Sequence, residues 1–426
     1  MLTAIQTCIN AILHKYRNNM NNILGQPVEG EDFFDRENDT QRLWSTLEEG
    51  NHVLLLAPRR VGKTSLAHRV GQEAQRFQWR FALADVQGCR DELGFLDRLF
   101  QELKSAGVHV PALARLTEFI TYARREFRGK LGAGDFSLEV NSGEGHETST
   151  LEHQIERLFR DIEQSGDKIL IAVDELPVLL EALEEADPDQ RRLHAFLNWF
   201  RGLRLRYREN VRWLLLGSVG LDTFAELRRL TATINDLQPE SLGAYDEPTA
   251  IAFLQALAAS KGIEMDEDIC RLVLDQIGWP LPFFLQLVFH EIYTRLGPPP
   301  RRKPTPDDVK EACEGLIAPQ FYKHFEPWRG RLSEGLDVEH HKTAVTILNA
   351  LCAKPAGLSR SQLTSLVQAK FPSKDPDDIA RMVATTLGQL ERDGYLLKQA
   401  ATEDGGTTYA FRSFLLRGYW HAREVA

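Results

Sequence analysis

At 426 residues the chain exceeds one ordinary domain, and a prior of about 150 residues per domain gives two or three. A hydrophobic share of 43% is enough for proper cores, while 26% charged residues and a formal net charge of -10 exclude a chain that coats nucleic acid along its whole surface. Any nucleic-acid contact must be local, and no run approaches the ~18 apolar residues of a membrane span, so a cytoplasmic protein with no membrane partner is expected.

The first segment, "MLTAIQTCINAILHKYRNNM", spaces Leu2, Ile5, Ile9 and Ile12 as one helical stripe. It reads as an amphipathic helix over 1–24, or as an over-extended start with Met20 as the true one. "NHVLLLAP" is a continuous apolar run ending in a turn, and "GKTSLAHRVGQEAQRF" after it has helical spacing. The stretch between joins a buried strand to a helix, which is the setting a phosphate-binding loop requires. Such a loop works because backbone N–H groups and a helix N-terminus converge on the anion, lysine reaches the outer phosphates and a hydroxyl holds Mg²⁺. Gly62, Lys63 and Thr64 supply those parts. Ala57 stands where the usual pattern has its first glycine, tolerable if the backbone there keeps a negative φ, and Pro58 stiffens the turn. A chance GKT at a helix start is the bland alternative, and the flanking strand and helix argue against it.

A second strand is expected at "FALADV" and a helix at "DELGFLDRLFQELKSAG". From about 107 to 150 the rhythm breaks, and "GKLGAGDFSLEVNSGEGHETST" suggests a hairpin or flexible insertion. Strands and helices then alternate again: "LEHQIERLFRDIEQSG" as helix, "KILIAVDE" as buried strand, "QRRLHAFLNWFRGLRLR" as helix, "VRWLLLGS" as buried strand. The alternation means an α/β fold with a parallel sheet covered on both faces. Asp174 and Glu175 end a buried strand, where the sites of such sheets lie; the aspartate can hold Mg²⁺ through water while the glutamate orients and deprotonates an attacking water. Their bland alternative is a pair that merely ends a strand. Ser218 ends the next strand and could sense a γ-phosphate or simply serve a turn. Candidates for an arginine completing the site are Arg59, Arg60, Arg228 and Arg229, with Arg201, Arg204, Arg206 and Arg208, although most arginines on such helices are solvated.

From about Pro248 helices follow one another, and "GPPPRRKPTP" is a stiff polar break. A last unit starts near His340: "KTAVTILNALCAKPAGLSRSQLTSLV" and "DPDDIARMVATTLGQLERDGYLLKQ" give three helices, and "TEDGGTTYAF" turns at Gly405 and Gly406 into a returning strand. That is the pattern of a winged helix. Its charge does not suit a DNA reader: 340–426 holds eleven Lys and Arg against eight Asp and Glu, and the third helix carries Asp377, Asp378, Glu391 and Asp393 against Arg381 and Arg392. Intramolecular locking or protein contact is the favoured use. The cysteines Cys8, Cys89, Cys270, Cys313 and Cys352 stand singly, which reads as reduced core cysteine with no structural zinc.

"FFDRENDTQRLW", "APRRVGKTSL", "AVDELP", "LLLGSVGL" and "IGWPLPFFLQL", in this order, resemble the P-loop ATPases of the AAA+ and STAND group, especially the archaeal-type branch related to Orc1/Cdc6-like initiators. The resemblance spans about 25 to 419. It implies a P-loop ATPase core over 25–245, a helical lid over 246–335 and a winged helix over 340–426. It implies ATP and Mg²⁺ as cofactors, with Asp35, Arg36 and Glu37 bordering the adenine. Pro58, Arg59, Arg60, Val61, Gly62, Lys63, Thr64 and Ser65 would form the nucleotide loop. Thr64 and Asp174 would serve the metal, Asp174 and Glu175 would be the Walker B pair, and Ser218 would hold the first sensor position. Gly278, Trp279 and Pro280 match the family's GxP turn, which sets Pro280 beside the nucleotide. Ala57, and serine instead of the commoner asparagine at 218, depart from the pattern and suggest slow hydrolysis, which in this family often times a switch. The expected function is a Mg-ATP switch ATPase whose nucleotide state controls homo-oligomerisation or engagement of a protein effector, by family analogy in defence against mobile DNA. The alternative is a nucleotide-gated DNA-binding initiator or regulator. A scaffold with a degenerate site is argued against by Lys63, Asp174 and Glu175 together.

Overall fold

The computed structural model describes residues 20–126, 139–141, 148–218, 224, 228–297, 303–334, 337–400 and 407–425. The expected N-terminal helix over 1–24 is corrected at its end, since residues 20–24 carry no helix, and 1–19 lie outside the described residues. The chain divides into two compact units, one of Arg36–Ala57 with Gly62–Leu242, the other of Met1–Asp35, Pro58–Val61 and Gly243–Ala426.

The unit containing most of the first half is built on a five-stranded parallel sheet of order β2-β5-β6-β1-β7: β1 His52–Ala57, β2 Arg80–Asp85, β5 Ile169–Asp174, β6 Val211–Ser218 and β7 Leu237–Ser241. All six residues of β5 are buried and five of six in β1, as a sheet covered on both faces demands. Around it run α1 Glu37–Glu48, α2 Lys63–Arg76, α3 Glu92–Ser105, α4 Pro111–Glu126, α5 Leu151–Ser165, α6 Leu176–Ala186 and α7 Arg191–Arg206. Asp91 caps α3 by accepting from the Gly94 N–H at 2.7 Å, and Thr150 caps α5 by accepting from His153. On one side of the sheet Phe95, Phe196, Phe200 and Trp213 pack edge to face, with Phe200 and Trp213 centroids 4.8 Å apart. Each such fully buried aromatic is worth about 3–5 kcal/mol against truncation to alanine.

Two expectations for this unit change. The break after Gly107 is not loop throughout, because α4 fills its first part. Pro111 opens that helix and Leu113, Leu116 and Ile120 bury one stripe in the same core as Leu99 and Phe100. Further on, β3 Glu139–Asn141 and β4 Thr148–Thr150 pair antiparallel, so the hairpin alternative is the one present. The second change is β7, which no pattern suggested. Among the described strands it pairs with β1 alone, so Pro239 sits on an edge strand, where a missing N–H is tolerated.

The other unit is mostly helical: α8 Glu247–Ser260, α9 Glu267–Ile277, α10 Pro282–Arg295, α11 Pro306–Gly315, α12 Glu326–Glu334, α13 Val338–Cys352, α14 Arg360–Lys370, α15 Pro376–Arg392 and α16 Phe414–Trp420. Side-chain caps start them in turn: Asp246 accepts from Thr249, Asp266 from Ile269, and Thr305 and Ser359 form reciprocal capping boxes with Asp308 and Gln362. After α13 come β8 Leu358–Ser359, β9 Leu396–Ala400 and β10 Thr407–Phe411 in one antiparallel sheet of order β8-β10-β9. The expected two-stranded hairpin thus gains a third strand, while its turn at Gly405 and Gly406 lies outside the described residues. Trp279, in the "GWP" turn, is held by this sheet's neighbourhood. The Arg412 guanidinium stands 5.1 Å from its ring, and a Cβ on Gly394 would lie 2.3 Å from its Cη2. No single helix among the described residues is long and apolar enough to cross a membrane. Cys89, Cys270, Cys313 and Cys352 are buried and free of disulfides; Cys8 lies outside the described residues.

Candidate functional site

Strand order sets the site. β5, β6 and β1 are consecutive neighbours, and their carboxyl ends bring Asp174, Ser218 and Ala57 to one edge of the sheet, with Ala57 directly opposite Ser218. Backbone alone places Ser218, whose side chain lies outside the described residues. Ala57 ends β1 without a positive φ, so the missing glycine costs no strain there. The loop makes its sharp turns later, at Arg60 with φ 67 and at Gly62 with φ 100. Gly62 caps α2, and a Cβ there would meet nothing within 4 Å, so glycine is needed for its backbone angle rather than for space.

Lys63 is the first residue of α2 and only 7% exposed. Its Nζ donates to the Ala57 carbonyl at 2.9 Å, so the ammonium is folded back across the loop that it closes. Thr64 Oγ1 donates to Asp174 Oδ2 at 2.5 Å, and Asp174 Oδ1 accepts from the Glu175 N–H at 3.0 Å. Burial pushes the Asp174 carboxyl above the usual carboxylate range and Glu175 adds to it, against the opposing pull of the Thr64 hydroxyl and the Lys63 charge. Glu175 starts α6 at φ 58, a left-handed conformation costing a non-glycine residue about 1 kcal/mol or more. Ser65 and Val61 are buried, and the Arg59 Nε is buried with no hydrogen-bond partner among the described residues.

This donor set fits a metal-bound polyphosphate. A helix N-terminus and a buried ammonium suit the anion, and a hydroxyl and carboxylate in mutual contact are hard oxygen ligands suited to Mg²⁺. Lys63, Thr64, Asp174, Glu175 and the Ser218 backbone fall in the sheet unit. Pro58, Arg59, Arg60 and Val61 belong with the helical unit, as does Pro280, whose carbonyl accepts from the Tyr245 N–H at 3.2 Å. Tyr245 in turn donates its hydroxyl to the Phe34 carbonyl at 2.9 Å, and the Thr249 hydroxyl donates to Asp35 at 3.0 Å. Arg36 opens α1 and pairs with Asp39 at 3.1 Å.

Several arginine candidates have other duties. Arg204 is 1% exposed and bound to both Asp236 oxygens, at 2.7 and 2.9 Å, and to the Thr233 carbonyl. Arg228 grips both oxygens of Glu184 at 2.6 Å and lies 3.8 Å from the Phe224 ring centroid. Arg206 pairs with Glu156, and Arg201 donates to Asn235 at 3.1 Å. Arg208 contacts its neighbour Glu209, at 3.8 Å. Two residues at the sheet carry no local signal in the sequence. Asp85 ends β2 directly beside Asp174, and its alignment follows from a register no local pattern reveals. His52, at the opposite end of β1, is buried with both ring nitrogens engaged.

The parallel sheet with β1 beside β6 and β7, the phosphate-type loop after β1 and the aspartate ending β5 define a P-loop ATPase fold of mixed α/β class. Two archaeal proteins of known structure have a similar fold. A Walker-type ATPase of Pyrococcus abyssi superposes with a TM-score of 0.59 at 20% identity, over 93% of this chain and 99% of that one. The Orc2 protein of Aeropyrum pernix, in its complexes with ADPNP and ADP, gives 0.54 at 12% identity over 96% and 97%. At these identities the likeness is one of fold. Neither a family model nor a curated sequence matches the chain.

Proposed function

We propose that the protein is a Mg-ATP-binding switch ATPase that hydrolyses slowly. The observation that carries this reading is the direct Thr64–Asp174 hydrogen bond beside the buried Lys63, which joins the helix after β1 to the end of β5. Lys63 and the N–H groups opening α2 bind the outer phosphates. Thr64 and Asp174 hold Mg²⁺, which when bound neutralises charge on the phosphate oxygens. Glu175 orients the attacking water and takes its proton, and Ser218 responds to the γ-phosphate. Arg36 borders the base. Nucleotide state is transmitted to the C-terminal winged helix, permitting self-association or engagement of a protein effector, and hydrolysis resets it. Support for the slow rate comes from the departure at Ser218.

Phosphate release from Mg-ATP, and elution volume with and without Mg-ATP, test the reading. Glu175→Gln should abolish release while retaining nucleotide, and should trap the assembled form. Release that Glu175→Gln leaves intact counts against the assigned base, and an elution volume insensitive to nucleotide counts against assembly. The DNA-binding initiator is the second reading, favoured by the winged-helix pattern of three helices and returning strands and opposed by the acidic α15, where Arg381 pairs with Asp378. Absence of duplex affinity at low salt with Mg-ATP removes it.

A further inference from the structure

The two arginines of the phosphate loop are not equivalent. Arg60 adopts φ 67, a region in which glycine would be cheaper, and such strain persists where the surroundings over-determine it. Two contacts do so. Arg60 Nη1 donates to the Gly25 carbonyl at 3.2 Å, and its Cζ stands 4.6 Å from the centroid of the Phe283 ring. Phe283 is the second residue of α10, 4% exposed, and wedged against Phe284 at 6.1 Å and His324 at 5.7 Å between centroids. The guanidinium therefore lies on a buried ring packed against two other rings.

The environment is otherwise unfavourable to a cation. Burial pushes the Arg60 guanidinium's pKa down and the adjacent Arg59 pushes it further, and no carboxylate among the described residues offsets them. A side chain serving only to fill space there would be better neutral. Its charge is matched to a carbonyl and an aromatic face, the two partners that fix direction without neutralising the loop.

We propose that Arg60 is a positioning residue of the nucleotide site, clamping the tip of the phosphate loop to Phe283 and the Gly25 carbonyl so that the backbone leading to Gly62 and Lys63 is held ready for phosphate. The inference rests on the Mg-ATP reading above. It makes one side chain the link by which a movement of the loop tip reaches the first turn of α10.

The test is a double-mutant cycle on Mg-ATP affinity, using a fluorescent ATP analogue, with KM and kcat for phosphate release. Arg60→Ala and Phe283→Leu should each weaken the analogue about three- to thirtyfold, the range of a partly desolvated cation–π contact. The double variant should be no weaker than the worse single one. KM should rise by a larger factor than kcat falls. Arg60→Gly, which keeps the backbone angle and loses the clamp, should resemble Arg60→Ala; Arg60→Lys should recover part of the affinity. Melting without nucleotide identifies any variant that fails to fold, in which case Phe283→Tyr, which keeps the aromatic face, must bind like the parent protein. Wild-type affinity in Phe283→Leu alongside a loss in Arg60→Ala, or losses that add in the double variant, overturns the clamp and leaves Arg60 acting by itself. Failure of the parent protein to bind the analogue overturns the nucleotide reading and the clamp together.

Discussion

Acid should loosen the sheet through one histidine. His52 is 4% exposed at the start of β1, with Nε2 2.8 Å from the Arg204 carbonyl and Nδ1 accepting from the Trp213 N–H at 3.2 Å. Both bonds together admit only the neutral ring protonated at Nε2, since a proton on Nδ1 would face the Trp213 N–H. Burial lowers its pKa from 6.5 to about 4, the Arg204 carbonyl opposing and the Arg204 charge assisting. The folded pKa lies below the unfolded one, so the unfolded chain takes the proton first. The stability is whole above the unfolded value, declines as pH falls toward the folded value and changes no further once both states are protonated. Linkage gives a loss of about 2 kcal/mol by about pH 5 and about 3 by about pH 4. Hydrogen exchange of the Val53–Leu56 amides, corrected for the intrinsic rate, reads this strand directly. Between about pH 7.5 and pH 5 the native chain should lose about 2 kcal/mol more protection than His52→Gln, whose amide does not titrate. Equal losses in the two proteins would mean that His52 does not carry the effect, because the remaining carboxylates are common to both.

Gly394→Ala should lower stability by about 2–4 kcal/mol, combining a left-handed φ of 82 with a Cβ driven to 2.3 Å from Trp279; a thermal melt within a degree of the parent's would mean that the indole moves aside freely. The buried pair of Arg192 and Glu92, with an Nε–Oε1 contact of 3.1 Å, should punish half-removal more than whole removal. Glu92→Ala is expected to cost about 3 kcal/mol and Glu92→Leu with Arg192→Met clearly less, by urea unfolding; the reverse ranking would contradict an uncompensated-charge account. Thr64→Ala should weaken nucleotide binding strongly in the presence of Mg²⁺ and little in excess chelator, a difference that calorimetry resolves.

The sheet and the loop were legible because their demands are local. A buried parallel strand needs an unbroken apolar run, as in Val53–Leu56 of β1 and Ile169–Val173 of β5, and phosphate chemistry needs Gly62, Lys63 and Thr64 in sequence. What escaped depends on distant partners or weak local signal. The helix Pro111–Glu126 was hidden by the glycines that follow it. β7 has five residues with a proline among them, and only Leu237 is fully buried. Arg204 looked like one surface arginine among several until Asp236, 32 residues on, and the Thr233 carbonyl enclosed it. Arg60 is the same case at the site: nothing adjacent in sequence announces that Gly25 and Phe283 meet it.

If Lys63, Thr64 and Asp174 form a working Mg-ATP site, isothermal titration of Mg-ATP should show saturable binding to the native chain and its loss in Lys63→Ala. No binding to either protein, or equal binding to both, would mean that these residues do not hold the nucleotide.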